Sequence, residues 1–425
     1  MSTPWLRRMS ADQLTPRRYA LDERTLQEAR VVVEDVRARG ATALLEHAIH
    51  FGDVRAGEPW LLGREALAQA YHSLPPGQRE LLLRTASRIQ GFARAQRQSL
   101  VDLQVPIPGG MAGHCALPVE RAGCYAPGGR FPLPSSVLMT AGVARVAGVS
   151  EVWVASPRPA AITLAAAHAA QADGVLAIGG AQAIAALAYG AGPLLPCDMV
   201  VGPGNRWVTA AKQIVSGDVA IDMLAGPSEL VVLADAGADP AWIAADLLAQ
   251  AEHDPDAWPV LVALGEEIVL RVEQELTRQL GDLPTAEIAR QALRNGFAVL
   301  VSSVQEGIAL CNRLAPEHLS LALENAAEIA PEIRHCGALF LGPAAAEVLG
   351  DYGAGPNHVL PTGGTARHRG GLSVLSFLKI HTWLRIDRPA EASELARDAE
   401  ALARLEGLHA HAGSARRRLL DAETP

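Results

Sequence analysis

VSEVWVASP at 149–157, GVLAIGG at 174–180, CDMVVGPGN at 197–205 and SELVVLAD at 228–235 are short apolar runs that each stop at Gly, Pro, Asn or Asp. Between them lie Ala-rich stretches of helical texture: SSVLMTAGVARVAG (135–148), AITLAAAHAAQAD (161–173), AQAIAALAYG (181–190) and VTAAKQIVSG (208–217). A short apolar run bounded by turn formers reads as a strand buried on both faces. Strands that alternate with helices form a parallel sheet with crossover helices. The pattern continues past residue 230. DPAWIAADLLAQAEH (239–253) reads as a helix capped by Asp239, and WPVLVALG (258–265), FAVLVSS (297–303) and GALFLGP (337–343) read as strands. On the N-terminal side, ERTLQEARVVVEDVRARG (23–40) opens a helical region that runs to about residue 100, and the Pro- and Gly-rich stretch 105–129 reads as strands and turns. EASELARDAEALARLEGL (391–408) is helical and leads to the basic run Arg416–Arg418.

The chain has 425 residues, of which 49% are hydrophobic and 20% charged. These values exclude a disordered chain, a collagen-like chain and a disulfide-stapled mini-protein. The net charge of −9 argues against nucleic acid and against an anionic membrane surface as partner. Cys115, Cys124, Cys197, Cys311 and Cys336 are an odd number with no CxxC, so neither a disulfide framework nor a cysteine zinc site is expected, and a reducing compartment fits. MSTPWLRRMS has no apolar run after its arginines, so no secretory signal is expected. The uncharged stretch Gly174–Cys197 is long enough to span a membrane. Its Gly and Pro residues divide it instead into a strand, a small-residue helix and a loop.

Several features carry chemistry. Gly-rich strand ends in a parallel sheet suggest a nucleotide or phosphate site, although the full GxGxxG pattern is absent. GGAQ at 179–182 and GPGN at 202–205, at successive strand ends, would put Gln182 and Asn205 at the carboxyl edge of the sheet. Each alone is a tight turn. Gln250 and His253 stand three apart on one helix and share a face, as metal donors or as a solvated surface. Asp351, His409 and His411 are candidate partners. Glu317–His318 sets a carboxyl beside an imidazole, the natural proton acceptor near neutral pH. His358 lies in a Gly- and Pro-dense loop, GAGPNHVLPTGG (353–364), which is either a connector or a binding loop.

Ten motifs occur in one order: ERAGCYAPGG, PSSVLM, GGAQAIAALAYG, VVGPGN, AAK, IDMLAGPSE, LLAQAEHDP, APEHLS, GDYGAGPNHVLPTGGTAR and EGLHAH. Together they resemble histidinol dehydrogenase from about residue 20 to residue 412. The resemblance implies oxidation of L-histidinol to L-histidine through a bound aldehyde, with two NAD, in a cytoplasmic, zinc-dependent homodimer of histidine biosynthesis. It implies zinc ligands Gln250, His253, Asp351 and His411, and a proton-transfer pair Glu317 and His318. It implies NAD contacts from Tyr125, Gln182 and Asn205, and substrate contacts from Ser228, His358 and Glu406 alongside the zinc ligands and His318. Cys124 is expected to be a packed residue rather than a nucleophile. The implied layout is α/β, with two Rossmann-like parallel-sheet domains and small helical terminal segments. Residues 1–20 form an extension, 21–124 with 230–372 one domain, 125–229 the NAD-binding domain, and 373–425 a helical segment that completes the partner subunit's site.

The chain departs from the family's pattern at Gly129–Arg130–Phe131, at Arg206–Trp207, at His368–Arg369–Gly370 and at Leu375–Ser376. None of these is an implied zinc or proton-transfer residue. The alternative is a divergent paralogue with the same zinc site that oxidises another small alcohol, such as a sulfonated diol. Ser228, His358 and Glu406 argue against it, because an alcohol lacking imidazole would leave those polar contacts unpaired at about 1–3 kcal/mol each.

Overall fold

The structure is a computed structural model and describes residues 4–14, 21–128 and 131–419. Gly129 and Arg130 lie outside the described residues. The chain divides into two compact units, residues 1–95 with 119–377 and residues 96–118 with 378–425.

The larger unit holds two six-stranded sheets. The first runs in the order Arg7–Met9, Phe297–Leu300, Trp258–Ala263, Glu229–Ala234, His318–Ala322, Ala338–Leu341, and every pairing is parallel. Its three central strands are buried at every residue. That is why Glu229–Ala234 and Trp258–Ala263 read as short apolar runs: crossover helices cover both faces. On one face Ile243, Leu247, Val272 and Leu276 build a core from the helices Pro240–His253 and Glu266–Asp282. On the other, Ile308 and Leu314 of the helix Val304–Leu314 pack on Val231 and Leu319. Asp239 caps the helix Pro240–His253 as expected, its carboxylate accepting the Ala241 N–H at 2.8 Å.

The second sheet runs Leu61–Gly63, Gly174–Leu176, Glu151–Ala155, Arg121–Tyr125, Met199–Val201, Ala220–Ile221, with only the first strand antiparallel. Ala-rich helices such as Gly180–Tyr189 lie close against it. Gly174–Cys197 is thus strand, helix and loop, and among the described residues no helix is long and apolar enough to cross a membrane.

Placements differ from the sequence reading in three places. Arg7–Met9, read as part of an extension, is an edge strand of the first sheet. Residues 21–124 were grouped with that sheet, yet Ala29, Val33, Val36 and Leu44 share a core with Leu176, Ile184 and Val208 of the second. Helical periodicity shows which face of a helix is apolar but not which sheet it covers. The segment 373–425, read as helical, contains the strand Leu378–Ile386, which pairs antiparallel with Gly110–Pro118. With Leu103–Ile107 these make the three-stranded sheet of the smaller unit, whose helices Ser393–Leu405 and His409–Arg416 pack on each other.

Gly202 opens the GPGN turn at φ +109°, and a Cβ there would stand 2.0 Å from the Tyr125 carbonyl oxygen. The Gly202 N–H donates to Asp222 at 2.7 Å, and its carbonyl accepts from buried Lys212, which also pairs with Asp222. Gly202→Ala is expected to cost about 2–4 kcal/mol from left-handed strain and the clash together. Thermal unfolding checks this; an unchanged midpoint would mean that the turn moves freely.

Candidate active site

His318 opens the strand His318–Ala322 with Glu317 just before it, and Ser228 immediately precedes the neighbouring strand Glu229–Ala234. These candidate residues of the first sheet therefore sit at its amino edge. His318 is 3% exposed, and its Nδ1 lies 3.0 Å from the Glu229 carbonyl oxygen. A carbonyl can only accept, so Nδ1 carries the hydrogen and the neutral ring presents its lone pair at Nε2. Burial pushes the His318 pKa down to about 4, so the ring is neutral near pH 7. Burial pushes the Glu317 carboxyl well above the usual range; the charges of Glu229 and Asp351 act in the same direction, while the Glu229 N–H and Ser228 pull against it.

Unpaired polar atoms gather here. Among the described residues, five buried side-chain atoms have no hydrogen-bond partner, and four of these are Gln250 Nε2 and Oε1, His318 Nε2 and Glu347 Oε2. Gln250 is fully buried. An orphaned buried amide is costly and calls for a ligand. His253, at the exposed end of the same helix, sends Nε2 to 3.7 Å from Asp351 Oδ2, and Asp351 Oδ1 lies 3.7 Å from His318 Nε2. Donor atoms of His253, Glu347 and Asp351 all lie within 4.8 Å of one another. Asp351 raises the His253 pKa. Burial alone would raise Asp351, but the imidazoles of His253, His318 and His358 hold it below the usual carboxylate value. One amide oxygen, one imidazole and two carboxylates are a donor set suited to a divalent cation, zinc among them.

His358 closes the site from the loop. Its Nδ1 faces the Asp351 carbonyl at 3.1 Å and its Nε2 meets Ser136 Oγ at 3.2 Å. Ser136 belongs to the helix Pro134–Ala147, which packs on the second sheet, so this contact joins the two layers.

The second sheet contributes its carboxyl edge. Tyr125 ends one strand, and its hydroxyl accepts the Gly180 N–H at 3.2 Å. Gln182 is buried at the start of the helix Gly180–Tyr189, and its Nε2 donates to Asp53 at 3.1 Å. Asp53 also accepts the Gly179 N–H at 3.0 Å. Asn205 stands at the edge as expected, but its Oδ1 caps the helix Arg206–Val215, accepting from Trp207 and Val208. Cys124 is fully buried and its thiol is pushed up to about 12, which makes it a packed residue and no nucleophile.

The family model of histidinol dehydrogenase matches residues 15–419. The chain is 47% identical over 395 residues to the histidinol dehydrogenase of Thermus thermophilus, covering 92% of this chain and 94% of that one. The chain belongs to the histidinol dehydrogenase family. It is 44% identical over 407 residues to the enzyme of Pseudomonas aeruginosa, covering 94% and 92% of the two chains. The crystal structure of histidinol dehydrogenase from Elizabethkingia anophelis matches with a TM-score of 0.92 at 32% identity, covering 99% of each chain. The protein is thus an oxidoreductase of the NAD-dependent histidinol dehydrogenase family.

Set against the family's implied roles, the larger unit gathers His253, Glu317, His318, Asp351 and His358 at one edge, with Ser228 beside Glu317, and Gln250 lies one helical turn before His253. Glu406 and His411 are exposed residues of the smaller unit. Sequence reasoning missed three residues. Glu347 lies one helical turn before Asp351, and that spacing was a usable signal. Asp53 sits in a turn without periodicity, and Glu229 follows Ser228 in a motif whose serine alone was singled out.

Proposed function

We propose that this enzyme oxidises L-histidinol to L-histidine through bound L-histidinaldehyde, the last step of histidine biosynthesis, in the cytoplasm. The observation that carries the reading is His318 Nε2, buried and unpartnered, 3.7 Å from Asp351 of a cation-type cluster with His253 and Glu347, with the orphaned Gln250 amide one turn before His253 on the same helix. Gln250, His253, Asp351 and His411 would hold a zinc ion, which would supply an anchor for the imidazole and amine of the substrate, and NAD would supply the hydride acceptor. Glu347 stands close enough to His253 and Asp351 to join or support that set.

The chain's own residues supply the proton chemistry. His318 takes the hydroxyl proton at Nε2 in the first oxidation. The aldehyde must be hydrated before a second hydride can leave. Glu317, held by burial as a carboxyl that gives and takes its proton, moves the proton of that water. Ser228, His358 and Glu406 hold the substrate, and the closed edge keeps bulk water from the aldehyde. Tyr125, Gln182 and Asn205 shape the NAD site. Two copies pair as a homodimer, each lending Glu406 and His411 to the other's site. Leu384 and Leu405 of the smaller unit, 68% and 86% exposed, offer apolar surface for that pairing.

Purified protein is expected to form two NADH per histidine from L-histidinol, with activity abolished by a chelator and restored by zinc. No NADH from a folded, zinc-loaded sample would move the reading to another small alcohol and call for a screen of such substrates. Asp53→Ala frees the Gln182 amide and the Gly179 N–H, and is expected to raise KM for NAD about tenfold with kcat within about twofold. Saturation kinetics in NAD check it, and an unchanged KM would take Asp53 out of the cofactor site.

A further inference from the structure

Glu229 and Glu317 stand side by side, because the strands that follow them pair in register, Leu230 opposite His318. Each carboxylate takes the other's backbone N–H: Glu229 N–H reaches Glu317 Oε2 at 2.8 Å, and Glu317 N–H reaches Glu229 Oε2 at 3.4 Å. The second Glu229 oxygen accepts the Gly363 N–H at 3.0 Å. Glu229 is 3% exposed. Three chain segments therefore meet on one buried carboxylate: the strand it opens, the Pro316–Glu317–His318 segment, and the Thr362–Gly363 turn that follows His358. Burying a carboxylate is costly, and a strand can begin on an apolar residue without that cost.

We propose that Glu229 is a positioning residue, whose carboxylate clamps the Glu317 main chain and the Gly363 turn and so holds the Glu317 carboxyl in its working orientation. This rests on the role given above to Glu317. A glutamine would not substitute, because the clamp needs two accepting oxygens. An amide has one, and its NH2 would face either the Glu317 N–H or the Gly363 N–H.

The test compares zinc-loaded wild type, Glu229→Gln, Glu317→Gln and the double variant in steady-state NADH formation from L-histidinol. Zinc content and hydrogen exchange of the backbone at 316–318 and 362–364 are followed in parallel. Glu229→Gln is expected to lower kcat about tenfold or more, with KM for histidinol and zinc content within about twofold. Both backbone segments should exchange faster, and the double variant should be no slower than Glu317→Gln alone, since Glu229 acts through Glu317. A kcat for Glu229→Gln within about twofold of wild type, or losses that multiply in the double variant, overturns the proposal. If Glu229→Gln does not fold, Glu229→Asp carries the same comparison, because it keeps the charge and withdraws both oxygens by one methylene. A wild type that forms no NADH removes the functional reading and this proposal with it. Wild-type turnover beside an unaffected Glu229→Gln removes this proposal alone.

Discussion

His318→Asn is expected to turn over about 10²–10⁴-fold more slowly than wild type while keeping its zinc, a loss of about 3–5 kcal/mol of transition-state stabilisation. Asparagine suits the test because its amide nitrogen can take the place of Nδ1 opposite the Glu229 carbonyl, which His318 approaches at 3.0 Å. What disappears is Nε2, the atom with no partner in the resting site. Among the described residues, Glu347 reaches the ring only on its Nδ1 side, at 3.5 Å, and does not stand in for Nε2. Asp351 is held low by its surrounding imidazoles and is committed to them, and Glu317 lies on the Nδ1 side of the ring at 3.7 Å. NADH formation and metal analysis on the same sample check the result. Turnover within about threefold of wild type would remove His318 from the mechanism, and loss of zinc would recast it as a ligand.

The second large effect is expected from His253→Asn, which should lose metal and activity together. Removing a hydrogen-bond partner of a ligand already costs about 10–100-fold in metal affinity, and removing the ligand itself costs at least the upper end of that range. His253 is an exposed residue at a helix end, so the substitution leaves the apolar core untouched and the protein should remain folded. Circular dichroism alongside metal analysis separates the two effects. A folded His253→Asn protein that still carries one zinc per subunit would place the metal elsewhere.

How much of this was legible depended on whether a signal is local. The runs at 229–234 and 258–263 were readable as strands because each is buried on both faces, and a doubly covered strand has no polar face to confuse the pattern; His318–Ala322 is as fully buried, but its His and Ser broke the apolar run. Asp239, Gln250 and His253 were readable because capping and the helical repeat act over three or four residues. Arg7–Met9 carries no apolar pattern of its own and is a strand only because Phe297–Leu300 offers it an edge. Leu378–Ile386 has the same dependence on Gly110–Pro118, far away in the chain. Asp53 and Glu229 matter through contacts with Gln182 and Gly363 at separations above a hundred residues, which no short-range rule reaches. The motif resemblance named residues far apart in the chain, Glu317 and Asp351 among them, and named neither of these two.

The reactive groups of the first sheet cluster where its strands begin, while the loops leaving Ala234, Ala263, Leu300 and Ala322 emerge at the opposite rim. That rim is accordingly a place for protein engineering. Ala236 and Gly237 form an exposed tip there, and a peptide tag or a small reporter domain grafted between them would stand at the end of the strands away from Glu317 and His318. In most parallel-sheet enzymes the same insertion point would obstruct the chemistry. Here it gives a handle for immobilising or labelling the enzyme in its working state.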